Sequence, residues 1–302
     1  MFLLDFSSQP CYYTFDINKS NQAIKVSTDT GEFNIVGQPA EDFPIKATIK
    51  SESKVSLQLP ATSLLSGISK TIFATADDEM RPVMNGILLE LSDESLTFVA
   101  SDAHKLVRYK RLDVKPQQHA SFILPKKPAS LLKAILGKDG ADVTIEFDDK
   151  NALFTMENYN LVCRLVEGVY PNYNSVIPTS NPNTMTIDRL DFYNSLRRVA
   201  PFTNQASNLV KLTLKGNQLV VSAQDLDFSI SAFERINCQY DGEDMEIGFK
   251  SVFLIEILAN ISATDIILSL SDPSRAGLLF PAVADNENED VLMLLMPMMV
   301  SA

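Results

Sequence analysis

The sequence predicts an α+β fold of repeated units, each with two helices packed on antiparallel β-sheets. The first observation is an internal repeat, because residues 86–102 align without a gap on residues 209–225, at an offset of 123 residues. Each copy alternates apolar and polar residues around a polar turn, which is typical of a β-hairpin. Repetition of a complete pattern at one offset indicates duplication of a structural unit.

The same offset relates the segments that follow. Apolar residues spaced three and four apart predict a short amphipathic helix at residues 127–135 and another at 250–258. Residues 143–147 and 266–270 then predict a further strand in each copy. Helix therefore matches helix, and strand matches strand, along both copies.

Each full unit begins with a first helix, predicted at residues 60–73 and 187–199. Thr62 or Ser63 is the expected N-cap of the former, and Asp188 that of the latter. Turn-forming residues concentrate near 46–55 and 178–184 and predict linkers. The expected domains are residues 1–50, 51–180 and 181–302.

The pattern of residues 1–50 predicts the second half of another copy of the repeated unit. Its predicted strands are residues 12–17, 23–28 and 32–36, after a helix end at residues 1–6. Asp-Phe-Pro at 42–44 matches Val-Tyr-Pro at 169–171, each after a strand. Since one unit is about 123 residues long, roughly 75 residues of this unit are expected to precede the sequence.

Composition excludes several classes of protein. The three cysteines are odd in number and lack metal-type spacing, so no disulfide framework is expected and a reducing compartment is favoured. No signal peptide or membrane span is recognisable, which predicts a cytoplasmic protein without membrane contact. Phosphate-binding glycine loops, metal motifs and cofactor motifs are absent, so we expect neither cofactor nor metal.

The net charge of −12 argues against a protein covered in nucleic acid, yet the cations are unevenly distributed. Acidic residues concentrate in predicted strands and turns. Basic residues lie on or beside the four predicted helices: Lys70, Lys126, Lys127, Lys133, Arg197, Arg198 and Lys250. Taken as a set, they predict one surface specialised for phosphate.

Ser101, Asp102 and His104 are the residue types of a hydrolase catalytic triad, so a hydrolase is one hypothesis for this chain. A catalytic triad needs three groups that converge in space, which near-adjacent positions at a strand end seldom provide. The repeat offers a structural alternative, because Asp102 aligns with Asp225 in a copy that has no histidine. We therefore favour a structural role for both aspartates and no enzymatic activity.

The last apolar stretch, residues 291–300, predicts a buried strand at 291–296 followed by a methionine-rich surface tail. Pro297 ends the strand because it has no N–H for a sheet ladder. Met298 and Met299 are flexible and polarisable, which suits a groove for several ligands. Packing of the tail into the core is the alternative.

Four motifs resemble those of one family. They are Phe-Val-Ala-Ser-Asp-Ala-His-Lys-Leu at 98–106, Val-Glu-Gly-Val-Tyr-Pro-Asn-Tyr at 166–173, Met-Glu-Ile-Gly-Phe at 245–249 and Leu-Met-Pro-Met at 295–298. With the repeat, they resemble the bacterial DNA polymerase III β subunits, the sliding clamps. The resemblance covers the whole chain, but a family member has three full domains, and here the first half of domain one is missing.

The resemblance implies a ring-shaped homodimer with helices lining a central hole and sheets outside. It implies a non-catalytic processivity factor that encircles duplex DNA without reading sequence. The DNA polymerase III α subunit, the clamp loader and other proteins with clamp-binding motifs are the implied partners. A peptide-binding module or clamp fragment that does not close a ring is the alternative reading.

The resemblance also implies the site residues. A cleft for peptides with a glutamine and a hydrophobic pair is formed by Met84, Ser101, Ala103, His104, Lys105, Leu106, Pro171, Val176, Leu294, Met296, Pro297, Met298, Met299 and Val300. Arg81 joins the cations that face DNA, and Phe33 and Ile35 are expected to meet Pro201 and Phe202 of a partner subunit. Met84, Ala103 and Met299 stand where other members often have Leu, Gly and Arg.

Overall fold

The computed structural model describes residues 12–43, 49, 54–116, 118–137, 142–284 and 286–300. The predicted helix end at 1–6 and much of the predicted linker at 46–55 lie outside these residues. The chain divides into two compact units, Met1–Ala47 and Thr48–Ala302.

The first unit contains a three-stranded antiparallel sheet in the order β1-β2-β3. Its strands are Thr14–Asn18 (β1), Ala23–Ser27 (β2) and Glu32–Val36 (β3), in agreement with the predicted positions. Val26 pairs with Phe15 on one side and with Phe33 on the other, so the three apolar residues lie in one cross-strand row.

The second unit opens with the first full repeat. Its strands are Val55–Pro60 (β4), Gly86–Leu91 (β5), Leu96–Ser101 (β6), Lys105–Arg111 (β7), Ala120–Pro125 (β8), Asp142–Phe147 (β9), Asn151–Thr155 (β10) and Asn160–Arg164 (β11). Its helices are Ala61–Thr71 (α1) and Lys126–Leu136 (α2).

The other full repeat follows directly. Its strands are Asn183–Asp188 (β12), Leu209–Lys215 (β13), Gln218–Asp225 (β14), Ile230–Asn237 (β15), Gln239–Asp241 (β16), Met245–Lys250 (β17), Asp265–Leu270 (β18), Gly277–Pro281 (β19) and Glu289–Leu295 (β20). Its helices are Arg189–Val199 (α3) and Ser251–Ala259 (α4).

The two repeats have the same topology. In the first repeat, one sheet has the order β11-β10-β9-β4. The other four strands, in the order β7-β6-β5-β8, are neighbours in a second, larger sheet. The corresponding segments of the second are β20-β19-β18-β12 and β15-β14-β13-β17. Each helix follows a strand without a loop, and α1 contacts α2 as α3 contacts α4. The predicted repeat is thus present in secondary structure and in strand order.

One strand pairing joins the repeats. β20 pairs antiparallel with β7 from Glu289↔Arg111 to Leu295↔Lys105. Together with β16 at its end, this pairing produces a continuous nine-stranded sheet. The predicted C-terminal strand is therefore confirmed, and its hydrogen-bonding partner lies about 180 residues earlier in the chain.

Apolar faces of helices and strands pack into buried clusters. α1 and α2 contribute Leu64, Ile68 and Leu132 to the first repeat's core, and α3 and α4 contribute similarly to the second. Asp188 caps α3 as predicted, since its carboxylate accepts the Asp191 N–H at 2.8 Å. The predicted cap of α1 is wrong, because β4 runs straight into the helix and its N-cap is Pro60.

Candidate functional site

The pairing of β20 with β7 creates an apolar cavity at the junction of the repeats. Leu294 lies opposite Leu106, and both belong to one buried cluster. The next residue, Leu295, belongs to a different cluster, because side chains alternate between the faces of a sheet. The register of this one pairing therefore determines which residues reach the cavity.

The cavity has a volume of about 230 Å³ and brings together most of the predicted cleft residues. Its lining residues are Met84, Ser101, Ala103, His104, Lys105, Leu106, Tyr170, Pro171, Asn172, Tyr173, Val176, Leu294 and Met296. Tyr170, Asn172 and Tyr173 were not predicted, although they flank Pro171 within a motif that the sequence had already singled out. Adjacent residues contribute because this segment runs irregularly over the sheet rather than as a strand.

A tight turn between β6 and β7 forms one wall. The Ser101 hydroxyl donates to the Lys105 carbonyl at 2.9 Å and accepts the Ala103 N–H at 3.1 Å. Ala103 has a φ of 75°, a left-handed conformation that costs a residue with a Cβ more than it costs glycine. The serine is therefore part of the turn, and its hydrogen bonds give no support to a nucleophile.

Asp102 stabilises the same turn through its carboxylate. It accepts the His104 and Lys105 N–H groups at 2.9 and 2.8 Å and pairs with the Lys105 ammonium at 2.8 Å. Burial raises its pKa, but the hydrogen bonds from Lys105 and His104 outweigh burial and hold the pKa below its ordinary value. Asp225 likewise accepts the N–H groups of Asp227 and Phe228 in the equivalent turn, as the repeat predicted.

Helix α4 supports this wall from the second repeat. The His104 ring stacks on Phe253 with centroids 5.7 Å apart, and the Lys105 ammonium lies 4.5 Å from the same ring. Lys105 also pairs with Glu256 at 3.1 Å. Sequence reasoning missed Phe253 and Glu256, because only the tertiary fold brings α4 beside a turn about 150 residues away.

The other wall ends at Met296, whose N–H donates to the His104 carbonyl at 2.8 Å. Beyond it, the Met298 N–H donates to the Gly248 carbonyl at 2.8 Å, which draws the tail onto β17. A Cβ at Gly248 would lie 2.8 Å from the Met298 carbonyl oxygen, so the crossing requires glycine.

Pro297, Met298, Met299 and Val300 are not among the residues that line this cavity, and their place in a peptide-binding cleft stays a prediction. Met298, Met299 and Val300 line a separate depression of about 590 Å³ with Lys211 and Glu246. The backbone bridge to Gly248 directs them there, away from the wall formed by Leu294 and Met296.

The predicted DNA-facing cations differ in their surroundings. Lys127, Lys133 and Arg197 are exposed and form no ion pair within the described part of the chain. The Lys250 ammonium lies 4.9 Å from the Phe253 ring. Among the described residues, none of these four cations has a carboxylate partner.

Acidic side chains neutralise three further cations at the surface. Lys126 pairs with Asp77 at 2.6 Å, and Arg81 with Asp78 at 2.8 Å. The guanidinium of Arg198 makes two hydrogen bonds to Glu234, at 2.6 and 2.7 Å. Phosphate binding by these residues has to compete with a carboxylate already in place.

Lys70 differs from the other helical cations because it lies in a half-buried ion pair, and its predicted contact with DNA stays a prediction. Its ammonium pairs with Glu289 at 3.1 Å, and the Glu289 side chain is only 8% exposed. Glu289 also accepts from Arg111 at 3.0 Å. Lys70 thus joins a half-buried network that links α1 and β7 to β20.

The predicted interface residues are accessible within their own units. Phe33 and Ile35 lie on the edge strand β3 and are 40% and 52% exposed. Pro201 is exposed, whereas Phe202 is half-buried against the core of the second repeat. Their pairing between subunits stays a prediction.

Two observations bear on other classes of function. None of the described helices has the length and apolar character that a membrane span needs. Across the described ranges, His, Cys, Asp and Glu side chains nowhere form a group of three or more able to hold a metal.

Repeated two-sheet, two-helix domains joined edge to edge, with an apolar cavity at the joint, define a clamp-type protein. The sliding clamp of Bartonella birtlesii, solved with bound griselimycin, has a TM-score of 0.90 and 26% identity, with 99% of this chain and 79% of that chain covered. The Pseudomonas aeruginosa clamp, also bound to griselimycin, gives a TM-score of 0.87 and 26% identity, with 97% and 78% covered.

Sequence relatives agree with the structural ones. Residues 58–172 match the central domain of the DNA polymerase III β subunit, and residues 174–299 match its C-terminal domain. The β sliding clamp of Synechococcus elongatus is 28% identical over 88% of this chain and 72% of the relative. That of Pseudomonas aeruginosa is 27% identical over 96% and 78%. The chain belongs to the DNA polymerase III β-subunit family, the sliding clamps.

Proposed function

We propose that this chain is a non-catalytic sliding clamp that encircles duplex DNA and tethers replication proteins through the junction cavity. The observation that carries the proposal is the β20–β7 junction, where residues from three distant segments form one apolar cavity. Family membership supports the same role.

The cavity suits the hydrophobic pair of a short extended peptide. Leu106, Val176 and Leu294 provide an apolar lining, and apolar anchors supply most of the affinity in such sites. The polymerase α subunit, the clamp loader and other proteins that carry clamp-binding motifs are the proposed partners.

Free helical cations support a sequence-independent contact with DNA. Lys127, Lys133 and Arg197 are exposed side chains of α2 and α3, and none has a carboxylate partner among the described residues. Exposed cations bind phosphates weakly and in a salt-sensitive way, which permits sliding.

Strand order suggests how two chains close a ring. Within the chain, β20 at one edge pairs with β7 at another edge. The repeat equates β7 with β15, which is an edge strand, and equates β20 with β3 of the first unit. We propose that β15 of one protomer pairs with β3 of its partner, with Phe33 and Ile35 beside Pro201 and Phe202.

The test of DNA encirclement is retention on closed circular DNA. We expect simultaneous Lys127→Glu, Lys133→Glu and Arg197→Glu to abolish retention after loading while the melting temperature stays unchanged. Lys115→Glu, Lys150→Glu and Lys215→Glu together form the control, since they change the net charge equally at exposed positions outside the helices.

Retention of the helix triple variant at the wild-type level in low salt would overturn the DNA contact. Peptide binding by a protein that stays monomeric at micromolar concentration would support the alternative, a peptide-binding module that does not close. Titration of a labelled pentapeptide with a glutamine and a hydrophobic pair, combined with sedimentation, separates these outcomes.

A further inference from the structure

We propose that a second cavity, beside the junction cavity, accepts a basic side chain that flanks the hydrophobic motif of a partner peptide. The proposal rests on the peptide-binding function proposed above. The second cavity has a volume of about 580 Å³. Tyr170, Pro171, Asn172 and Tyr173 line both cavities, so one irregular segment forms their common wall. A peptide that leaves the first cavity across this wall reaches the second.

The second cavity combines apolar and acidic groups. Leu88, Ile123 and Val166 contribute apolar surface. The acidic lining residues are Glu90, Asp148, Asp149 and Glu167, and no lysine or arginine is among the described residues that line the cavity. The long side chains of lysine and arginine match this combination, because their stems bury against apolar surface while the charged head meets carboxylates.

Existing contacts reveal which carboxylates are available to a ligand. Glu167 pairs with Arg164 at 2.6 Å, and one Asp148 oxygen accepts the Lys150 and Asn151 N–H groups. Glu90 of β5 and Asp149 of the turn after β9 form no ion pair with a described residue, so their charge is the part left for a cationic ligand.

Glu90 is held at the common wall. Its carboxylate accepts the Tyr173 hydroxyl at 2.5 Å. Burial, together with Glu90 itself, raises the pKa of Tyr173 to about 12, so the phenol stays protonated and donates at neutral pH. Nearby, Tyr170 is nine-tenths buried, with its hydroxyl beside the Ser101 backbone. The wall thus carries a fixed carboxylate.

The charge excludes other occupants of the flanking position. An acidic residue is repelled by Glu90 and Asp149, and an apolar residue desolvates them without compensation. A lysine or arginine places a positive charge near two carboxylates in a partly enclosed space, where ion pairs contribute more than on an open surface. The expected partner is therefore a clamp-binding peptide with a basic flank.

The experiment compares fluorescently labelled peptides. A pentapeptide with a glutamine and a hydrophobic pair is extended at either end by a short linker and one lysine, or by acetyl-lysine, which keeps the stem but loses the charge. We expect one lysine peptide to bind the full chain about three- to tenfold more tightly than its acetyl-lysine counterpart, with the preference declining as salt is added.

Two variants test the assignment to this cavity. Glu90→Gln with Asp149→Asn should remove the lysine preference and leave affinity for the unextended pentapeptide unchanged. Glu157→Gln, at an exposed carboxylate that does not line the cavity, should retain the preference. Equal binding of lysine and acetyl-lysine peptides to the wild type, or a preference that survives the double variant, overturns the proposal. Failure of the unextended pentapeptide to bind instead overturns the proposed peptide-binding function.

Discussion

Two methionines of the C-terminal tail lie in different surroundings. Met296 lines the junction cavity, whereas Met298 lies beyond a backbone bridge to Gly248. Both are partly exposed methionines of the same tail, and composition does not distinguish them. Their different surroundings follow from one hydrogen bond, which the Met298 N–H donates to the Gly248 carbonyl.

We predict that Met296→Ala weakens binding of the labelled pentapeptide about fivefold, since loss of an apolar anchor costs about 1 kcal/mol. Met298→Ala, the matched control from the same tail, should change the affinity by less than about twofold. Fluorescence anisotropy measures both. A larger loss for Met298→Ala would mean that the tail reaches the peptide after all.

Two aspartates pair with cations that are proposed to contact DNA. The hydrogen bond from Arg81 holds the pKa of Asp78 below its ordinary value, so this carboxylate is ionised at neutral pH and would compete with a DNA phosphate for the guanidinium. Asp77 would compete in the same way for Lys126.

We predict that Asp77→Asn with Asp78→Asn increases DNA affinity several-fold in low salt, because two cations become available to phosphates. The salt dependence should also steepen, by up to about one unit of log–log slope for each added phosphate contact. Glu157→Gln with Asp241→Asn removes the same charge elsewhere and serves as the control. An equal gain in both double variants would indicate a general charge effect without release of these cations.

At the scale of elements, the β20–β7 pairing holds the two repeats together. Its outer end carries Glu289, which contacts Lys70 of α1 and Arg111 of β7. Its inner end carries Leu294 and the cavity. The same two strands therefore connect a half-buried ion network to the binding site.

We predict that Glu289→Gln lowers the free energy of unfolding by about 3 kcal/mol, because it leaves two cations without their shared carboxylate in a largely buried site. Asp290→Asn, next to it, should cost less than about 1 kcal/mol, since its pair with Arg108 is more exposed. Urea unfolding of both variants measures the difference. Similar losses of unfolding free energy in the two variants would show that the burial of Glu289 does not increase its contribution to stability.

For the whole molecule, the proposed closure of a ring depends on edge strands that have no further partner strand among the described residues. β15 ends its four-stranded sheet, and β3 ends its three-stranded sheet. Exposed apolar residues on β3 make that edge suitable for association.

We predict that Phe33→Lys with Ile35→Lys converts the proposed dimer into a monomer at micromolar concentration, because two charges are then placed in an apolar contact. Met80→Lys, at a more exposed apolar residue outside β3 and β15, should leave that dimer intact. Sedimentation velocity distinguishes the two species. A persisting dimer in the double variant would require a different interface.

Local features of this protein could be predicted from its amino-acid sequence. The four helices, the hairpins at residues 86–102 and 209–225, the repeat, the cap at Asp188 and the structural roles of Asp102 and Asp225 were predictable. Each depends on side-chain periodicity or on hydrogen bonds between residues close in the chain. The predicted N-cap of α1, Thr62 or Ser63, was wrong because strand β4 runs directly into that helix at Pro60.

Tertiary structure decided the rest. The pairing of β20 with β7, the departure of the tail at Gly248, the pair between Lys70 and Glu289 and the stacking of Phe253 on His104 all join distant residues. The periodicity of apolar residues shows which face of a helix or strand is apolar. It contains no information about which other helix or strand packs against that face. Strand register and ion-pair partners exist only after the chain has folded. For that reason the lining of the junction cavity and the ion pairs of the helical cations could not be derived from sequence alone.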